Sequence, residues 1–89
     1  MLERQIEITN KKGLHARAAA KLINLTHHFE SDVFVARGEN EVNGKSILGL
    51  LMLAAHKGSF LKIRVNGVDE AAALDCISKL IESKFEEAE

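Results

Sequence analysis

The sequence predicts an α+β fold: an open-faced β-sandwich of order βαββαβα, with a four-stranded antiparallel sheet and three helices on one face. Three observations carry this reading. Apolar residues alternate at period two in some segments and recur at helical spacing in others, and the two kinds of segment are interleaved along the chain. No proline occurs, so helix and strand interiors are uninterrupted and every turn must rely on Gly, Asn, Asp or Ser. The chain has 89 residues, 46% of them apolar, enough for one small domain with one core. No linker, low-complexity block or internal repeat divides it, so residues 1–89 are expected to form a single domain.

The elements follow in order. Leu2, Arg4, Ile6 and Ile8 alternate with Glu3, Gln5, Glu7 and Thr9, a half-buried strand in which Arg4 is the imperfect position. Residues 10–13 form a polar loop. From Ala16 to about Phe29 the period is helical, with Ala19, Leu22, Leu25 or Thr26, and Phe29 on one face, until Ser31 and Asp32 break it. Val33 to Ala36 form a second strand, Gly38, Glu39 and Asn40 a hairpin connection, and Val42 lies in a third strand that ends at Asn43 and Gly44. Ser46 is placed to N-cap a short apolar helix from Ile47 to about Ala55, with Gly58 as its C-terminal stop. Leu61, Ile63 and Val65 alternate with Phe60, Lys62, Arg64 and Asn66 in the fourth strand. After an Asn66-Gly67 turn, Asp69 is expected to cap a last helix whose inner stripe is Ala73, Cys76 or Ile77, Leu80, and Lys84 or Phe85. The acidic tail, residues 86–89, is expected to fray.

Composition excludes several classes. The 12 Lys and Arg against 13 Asp and Glu give a net charge of −1 and no general case for nucleic-acid binding. An RNA-binding α+β module would want sheet-face aromatics and a basic face, and this chain has four Phe, no Tyr and no Trp. The single cysteine, Cys76, cannot form an internal disulfide, which fits a reducing cytoplasm. No apolar run approaches the about 20 residues that span a bilayer. Glu3, Arg4 and Glu7 interrupt any signal-peptide core, so neither membrane nor export is expected.

The chemistry concentrates where the first strand hands over to the first helix, in Gly13-Leu14-His15-Ala16-Arg17-Ala18. A helix start presents backbone N–H groups without intrahelical partners and a partial positive charge, so it binds anions, phosphate above all. The same charge opposes protonation of a histidine placed there and leaves the ring nucleophilic. Gly13 lets the backbone turn sharply, and the N–H groups of Ala16, Arg17 and Ala18 are the candidate phosphate cradle. Arg17 adds a planar fork suited to phosphate. A cation in a first helical turn is electrostatically unfavourable, and a residue kept at a local cost hints at function. Together these features point to a histidine, His15, that receives and gives away a phosphoryl group.

Two other features add to this. Ile47, Leu48, Leu50, Leu51, Met52 and Leu53 are too many apolar residues for one buried face of a short helix, so some must be exposed as a partner surface. His27, His28 and His56 lack metal-ligand spacing with Cys76, so no metal is expected, and Cys76 reads as a small core hydrophobe.

These residues resemble the histidine-containing phosphocarrier family, HPr, of the bacterial phosphoenolpyruvate-dependent phosphotransferase system. Gly13-Leu14-His15-Ala16-Arg17 is similar to its active-site loop, Lys45-Ser46-Ile47-Leu48-Gly49 to its regulatory serine segment, and the pattern of elements extends the likeness over most of the chain. The resemblance implies that His15 takes a phosphoryl group on Nδ1 from enzyme I, becoming a pros-phosphohistidine, and passes it to enzyme II A domains. Arg17 would steady the phosphate. Ser46 would be the target of an ATP-dependent HPr kinase/phosphorylase. Ala20, Lys21, Ile47, Leu48 and Leu51 would meet the partners. The chain would act as a monomeric carrier without a cofactor, not as a stand-alone enzyme. It departs from the family pattern at Ala18, where many members have proline, and at Asn24 and His27, where enteric sugar-branch carriers present lysines. A nitrogen-related, NPr-type carrier is therefore the competing reading, and an anion-sensing regulatory domain the more distant one.

Overall fold

The structure, a computed structural model, describes residues 1–87; Ala88 and Glu89, the end of the tail expected to fray, lie outside the described residues. The elements are β1 (Leu2–Glu7), α1 (Ala16–Thr26), β2 (Asp32–Arg37), β3 (Asn40–Asn43), α2 (Ile47–Met52), β4 (Phe60–Asn66) and α3 (Glu70–Glu82), followed by a short 3-10 turn over Lys84–Glu86. The strands form one four-stranded sheet in the order β1-β4-β2-β3, with every neighbouring pair antiparallel. The expected open sandwich is observed.

The register shows why the helices share one face. Ile6 lies opposite Leu61, Val33 opposite Val65 and Val35 opposite Ile63, so the alternating apolar residues of three strands point to the same side. There they meet Ala18, Ala19 and Leu22 of α1, Leu50 of α2, and Ala73, Ile77 and Ile81 of α3, all buried. The other face is open to solvent. On it Arg64 lies 5.1 Å from the centre of the Phe34 ring and pairs with Glu41 through two 2.9 Å hydrogen bonds.

Several boundaries and burials differ from expectation. On the edge strand β1 only Ile6 is buried; Leu2 and Arg4 are exposed, because an edge strand lacks a neighbour on one side. α1 stops at Thr26 rather than Phe29, where the buried Thr26 hydroxyl donates to the carbonyls of Ile23 (3.2 Å) and Gly44 (2.9 Å). α2 is six residues long and does not reach Ala55. Ala54 turns to φ 50°, and the Arg37 guanidinium takes up the carbonyls of Leu53 (3.2 Å) and Ala54 (3.3 Å). Gly58, expected to stop that helix, instead makes the turn into β4 at φ 93°, its N–H donating to Ile8 at 2.8 Å. Asp69 stands at the N-cap position of α3 without capping it. Its carboxylate accepts from the Ser31 hydroxyl and from the N–H groups of Glu30 and Ser31 at 2.9 Å each. The Ser31 hydroxyl and then the Glu30 N–H hold its pKa below the usual carboxylate range, outweighing partial desolvation. Cys76 is half-buried rather than in the core and lines an open groove between α1 and α3 with Leu25 and Leu80.

Among the described residues the chain turns back after α3 and packs on the domain as far as Glu87. Lys84, Phe85 and Glu86 take φ near 60°, 56° and 60°, a left-handed reversal that drives the Phe85 ring into the core at 0% exposure. Lys21 of α1 holds this turn by donating from Nζ to the Phe85 carbonyl at 2.7 Å.

Candidate functional site

The loop before α1 is shaped by glycine and by two hydrogen bonds to distant chain. Gly13 sits at φ 66°, and a Cβ there would lie 2.5 Å from the Ala55 carbonyl oxygen, so both conformation and space require glycine. Leu14 is buried and its N–H donates to Ala55 at 2.8 Å, fastening the loop to the segment after α2. The fully buried Asn10 closes the loop from below, its Nδ2 donating to the Gly13 carbonyl at 2.7 Å.

His15 is therefore the N-cap residue of α1, at φ −83°, ψ 178°, with its carbonyl accepting from Ala19 at 2.8 Å. Its side chain does not cap the helix. The ring instead turns toward the C-terminal segment, where Nε2 meets Glu87 Oε2 at 2.6 Å. The imidazole keeps 24% side-chain exposure, and Nδ1 makes no hydrogen bond among the described residues. The N–H groups of Ala16, Arg17 and Ala18 likewise make none, as the first turn of a helix dictates. Arg17 is exposed, with no ion pair among the described residues.

Two residues of this site escaped the sequence reading. Glu87 is 72 residues from His15 and lies in the tail expected to fray; Asn10 reads only as loop polarity. Glu87 Oε1 accepts from Asn10 Nδ2 at 3.0 Å, so each oxygen has a partner. Partial desolvation pushes the Glu87 pKa up, but hydrogen bonds from His15 and Asn10 and the charges of His15 and Lys21 outweigh it, and the net shift is downward. No sequence signal pairs these residues, because only the left-handed turn at 84–86 brings Glu87 back over the start of α1.

The other expected site residues are placed as follows. Ala16, Arg17, Ala18 and the exposed Ala20 share the first half of α1 with His15. Lys21 is half-buried and engaged with Phe85. Ser46 is the N-cap of α2, its Oγ accepting from Gly49 at 3.1 Å. Ile47, Leu48, Leu51 and Met52 are exposed at 42, 66, 39 and 74%, while Leu50 and Leu53 are buried, so the apolar excess on α2 does form a surface. The end of α1 meets the segment before α2, where Thr26 bonds Gly44 and His27 Nε2 reaches the Lys45 carbonyl at 3.1 Å. The start of α1 meets the segment after α2, through Leu14 and Ala55. The segment before α2, which leads into Ser46, therefore meets the end of α1, while His15 stands at its start. The structure brings His15, Arg17 and the first N–H groups together and leaves Ser46 apart. Among the described residues no group of His, Cys, Asp or Glu could hold a metal, and no helix is long and apolar enough to cross a membrane.

A nucleophilic ring on the surface, beside a helix start and outside any enclosed cavity, is the equipment of a protein that carries a small anionic group to partners. The family model described as "PTS HPr component phosphorylation site" matches residues 2–83. The chain is 47% identical over 89 residues to the phosphocarrier protein HPr of Neisseria meningitidis, covering both chains completely. It is 46% identical over 87 residues to the phosphocarrier protein NPr of Shewanella violacea, covering 98% of this chain and 96% of that one. Among solved structures, HPr from Thermoanaerobacter tengcongensis superposes with a TM-score of 0.96 at 42% identity over the whole of both chains. The protein is thus a phosphocarrier of the phosphotransferase system. It belongs to the HPr family, and membership implies partner proteins of that system.

Proposed function

We propose that His15 Nδ1 accepts a phosphoryl group from phosphorylated enzyme I and hands it to an enzyme II A domain, residues 1–89 acting as one monomeric carrier in the cytoplasm. One observation carries this: Nδ1 of a partly exposed ring makes no hydrogen bond among the described residues, and the N–H groups of Ala16, Arg17 and Ala18 beside it make none there either. The Nδ1 lone pair attacks phosphorus, the donor's N–P bond breaks, and its electron pair returns to the donor ring. The helix start and Arg17 stabilise the transferred oxygens without enclosing them, which leaves the group able to move on. Ala20, Lys21, Ile47, Leu48 and Leu51 form the docking surface, the first two on α1 and the others on α2.

The test is incubation with phosphoenolpyruvate, magnesium and enzyme I, read by intact mass. One added phosphate, labile to acid and stable to base, supports the reading; an unmodified chain sinks it and favours an anion-sensing domain. The likeness to an NPr carrier favours a second reading, transfer within a nitrogen-related branch, which relative rates with the two kinds of enzyme I would separate.

Two variants probe the supporting residues. Arg17→Ala should slow transfer by about tenfold or more, the scale of a lost charge-assisted contact to phosphate. Because Arg17 is exposed, the melting temperature should hold, with stability within about 0.5 kcal/mol. A large loss of stability with normal transfer would make Arg17 structural. Ser46, read as the kinase target, caps α2 through Gly49, and a carboxylate can take over that bond. Ser46→Asp should leave thermal stability equal or higher and lower the transfer rate. Ser46 adjoins the exposed Ile47 and Leu48 of the docking surface, so the added charge acts on partner docking and the loss should appear in KM for the carrier rather than in the maximal rate. An unchanged rate leaves Ser46 as a cap alone.

A further inference from the structure

We infer that Glu87, held in place by Asn10, is a positioning residue that keeps the His15 proton on Nε2 and thereby makes Nδ1 the phosphoryl acceptor. This deepens the reading of His15 as a phosphoryl carrier and rests on it for the transfer step. The geometry is specific. One carboxylate oxygen meets Nε2 at 2.6 Å, and the other accepts from Asn10 at 3.0 Å. The same Asn10 amide donates to the Gly13 carbonyl at 2.7 Å. Both neighbours of that nitrogen are acceptors, so the amide orientation is determined: only the NH2 end can face them. Its oxygen, Oδ1, is buried with no hydrogen-bond partner among the described residues, so the side chain holds its donors on the site at the expense of its acceptor. The carboxylate is set over the ring by the buried Phe85 two residues earlier and by Lys21, which holds the Phe85 carbonyl.

An ionised carboxylate can only accept hydrogen bonds. Nε2 must then be the donor, and the neutral ring carries its lone pair on Nδ1, the nitrogen nearest to none of the described partners. When that lone pair forms the new N–P bond, Nε2 keeps its proton and the ring becomes an imidazolium facing Glu87. When the group leaves, the N–P electron pair returns to Nδ1 and the ring is neutral again. Glu87 takes no proton at either step. It orients the ring and stabilises the charge that develops on it, as a buried carboxylate does for the histidine of a hydrolytic triad. Besides the ring itself, the charge that acts on Glu87 is Lys21 of α1.

The experiment compares the full chain with Glu87→Gln and Asn10→Ala. Long-range proton–nitrogen NMR of the unphosphorylated protein at neutral pH reads the His15 tautomer, independently of any partner. The wild type should be predominantly Nε2–H. Glu87→Gln should raise the Nδ1–H fraction and slow transfer from enzyme I by about tenfold or more, the scale of a hydrogen bond that strengthens only when the ring is charged. Asn10→Ala, with Glu87 intact but unsupported, should shift the tautomer in the same direction to a smaller extent. A wild type that is mainly Nδ1–H, or a Glu87→Gln variant with unchanged tautomer and rate, overturns the inference. A Glu87→Gln variant that melts lower but keeps both also overturns it, by making Glu87 purely structural. If instead the wild-type tautomer is as stated and enzyme I transfers nothing, the carrier reading fails and the positioning geometry stands.

Discussion

His15→Ala should abolish phosphoryl acceptance while leaving the fold in place. A missing nucleophile is not replaced by its surroundings: the remaining N–H groups can bind phosphate but cannot form a bond to it. The rate of transfer from enzyme I should fall by at least about a thousandfold, into the range seen when a nucleophile is deleted. The other histidines offer no substitute. His27 gives Nε2 to the Lys45 carbonyl, His56 Nδ1 lies 2.8 Å from Ser59 Oγ, and neither they nor His28 stands at a helix start beside an arginine. Stability should change little. The imidazole does not cap α1 and is partly exposed, so its removal opens no core cavity, and Glu87 keeps its bond to Asn10. Intact mass and a melting curve on one preparation decide this. A full phosphate on the variant would place the acceptor elsewhere; an unfolded variant would make His15 a structural residue.

Phe85→Ala should have the largest effect on stability of any change outside the three helices and the sheet. The ring is at 0% exposure and packs in the same core as Leu22, Ile77 and Ile81. Truncating a buried phenylalanine removes its transfer free energy and leaves a cavity, together about 3–5 kcal/mol. Small domains hold only about 5–15 kcal/mol in total, so the variant should approach the limit of folding. Chemical denaturation should show the midpoint fall, with Phe85→Leu losing far less because most of the volume is kept. The same substitution should release the C-terminal turn and with it Glu87, so His15 should lose its Nε2 contact even where the rest of the fold survives. An unchanged midpoint would mean that the turn at 84–86 is not packed as described.

Much of the fold was legible because its causes are local. Leu61, Ile63 and Val65 alternate with polar neighbours, and period two allows one assignment of faces on a central strand. On the edge strand the same pattern misassigned Leu2 and Arg4, because burial there depends on what covers the edge. The His15 site was half legible for the same reason. His15, Ala16, Arg17 and Ala18 are contiguous, and a helix start defines their relation without help from the rest of the chain. The apolar excess of α2 announced an exposed surface, since six residues cannot bury every face.

By itself, then, the sequence determined the alternation of strands and helices, the nucleophile at a helix start, and the capped apolar segment from Ser46 onward, each set by neighbours within a turn or a strand pair. Only the tertiary structure decided that Asp69 would hold Ser31 instead of capping its own helix. It also decided that Phe85 would turn into the core, and that Glu87 would come to rest on His15 with Asn10 behind it. Those contacts join residues tens of positions apart. Their partners are chosen when the chain closes on itself and packing selects which polar groups meet, a choice that no local period or motif encodes.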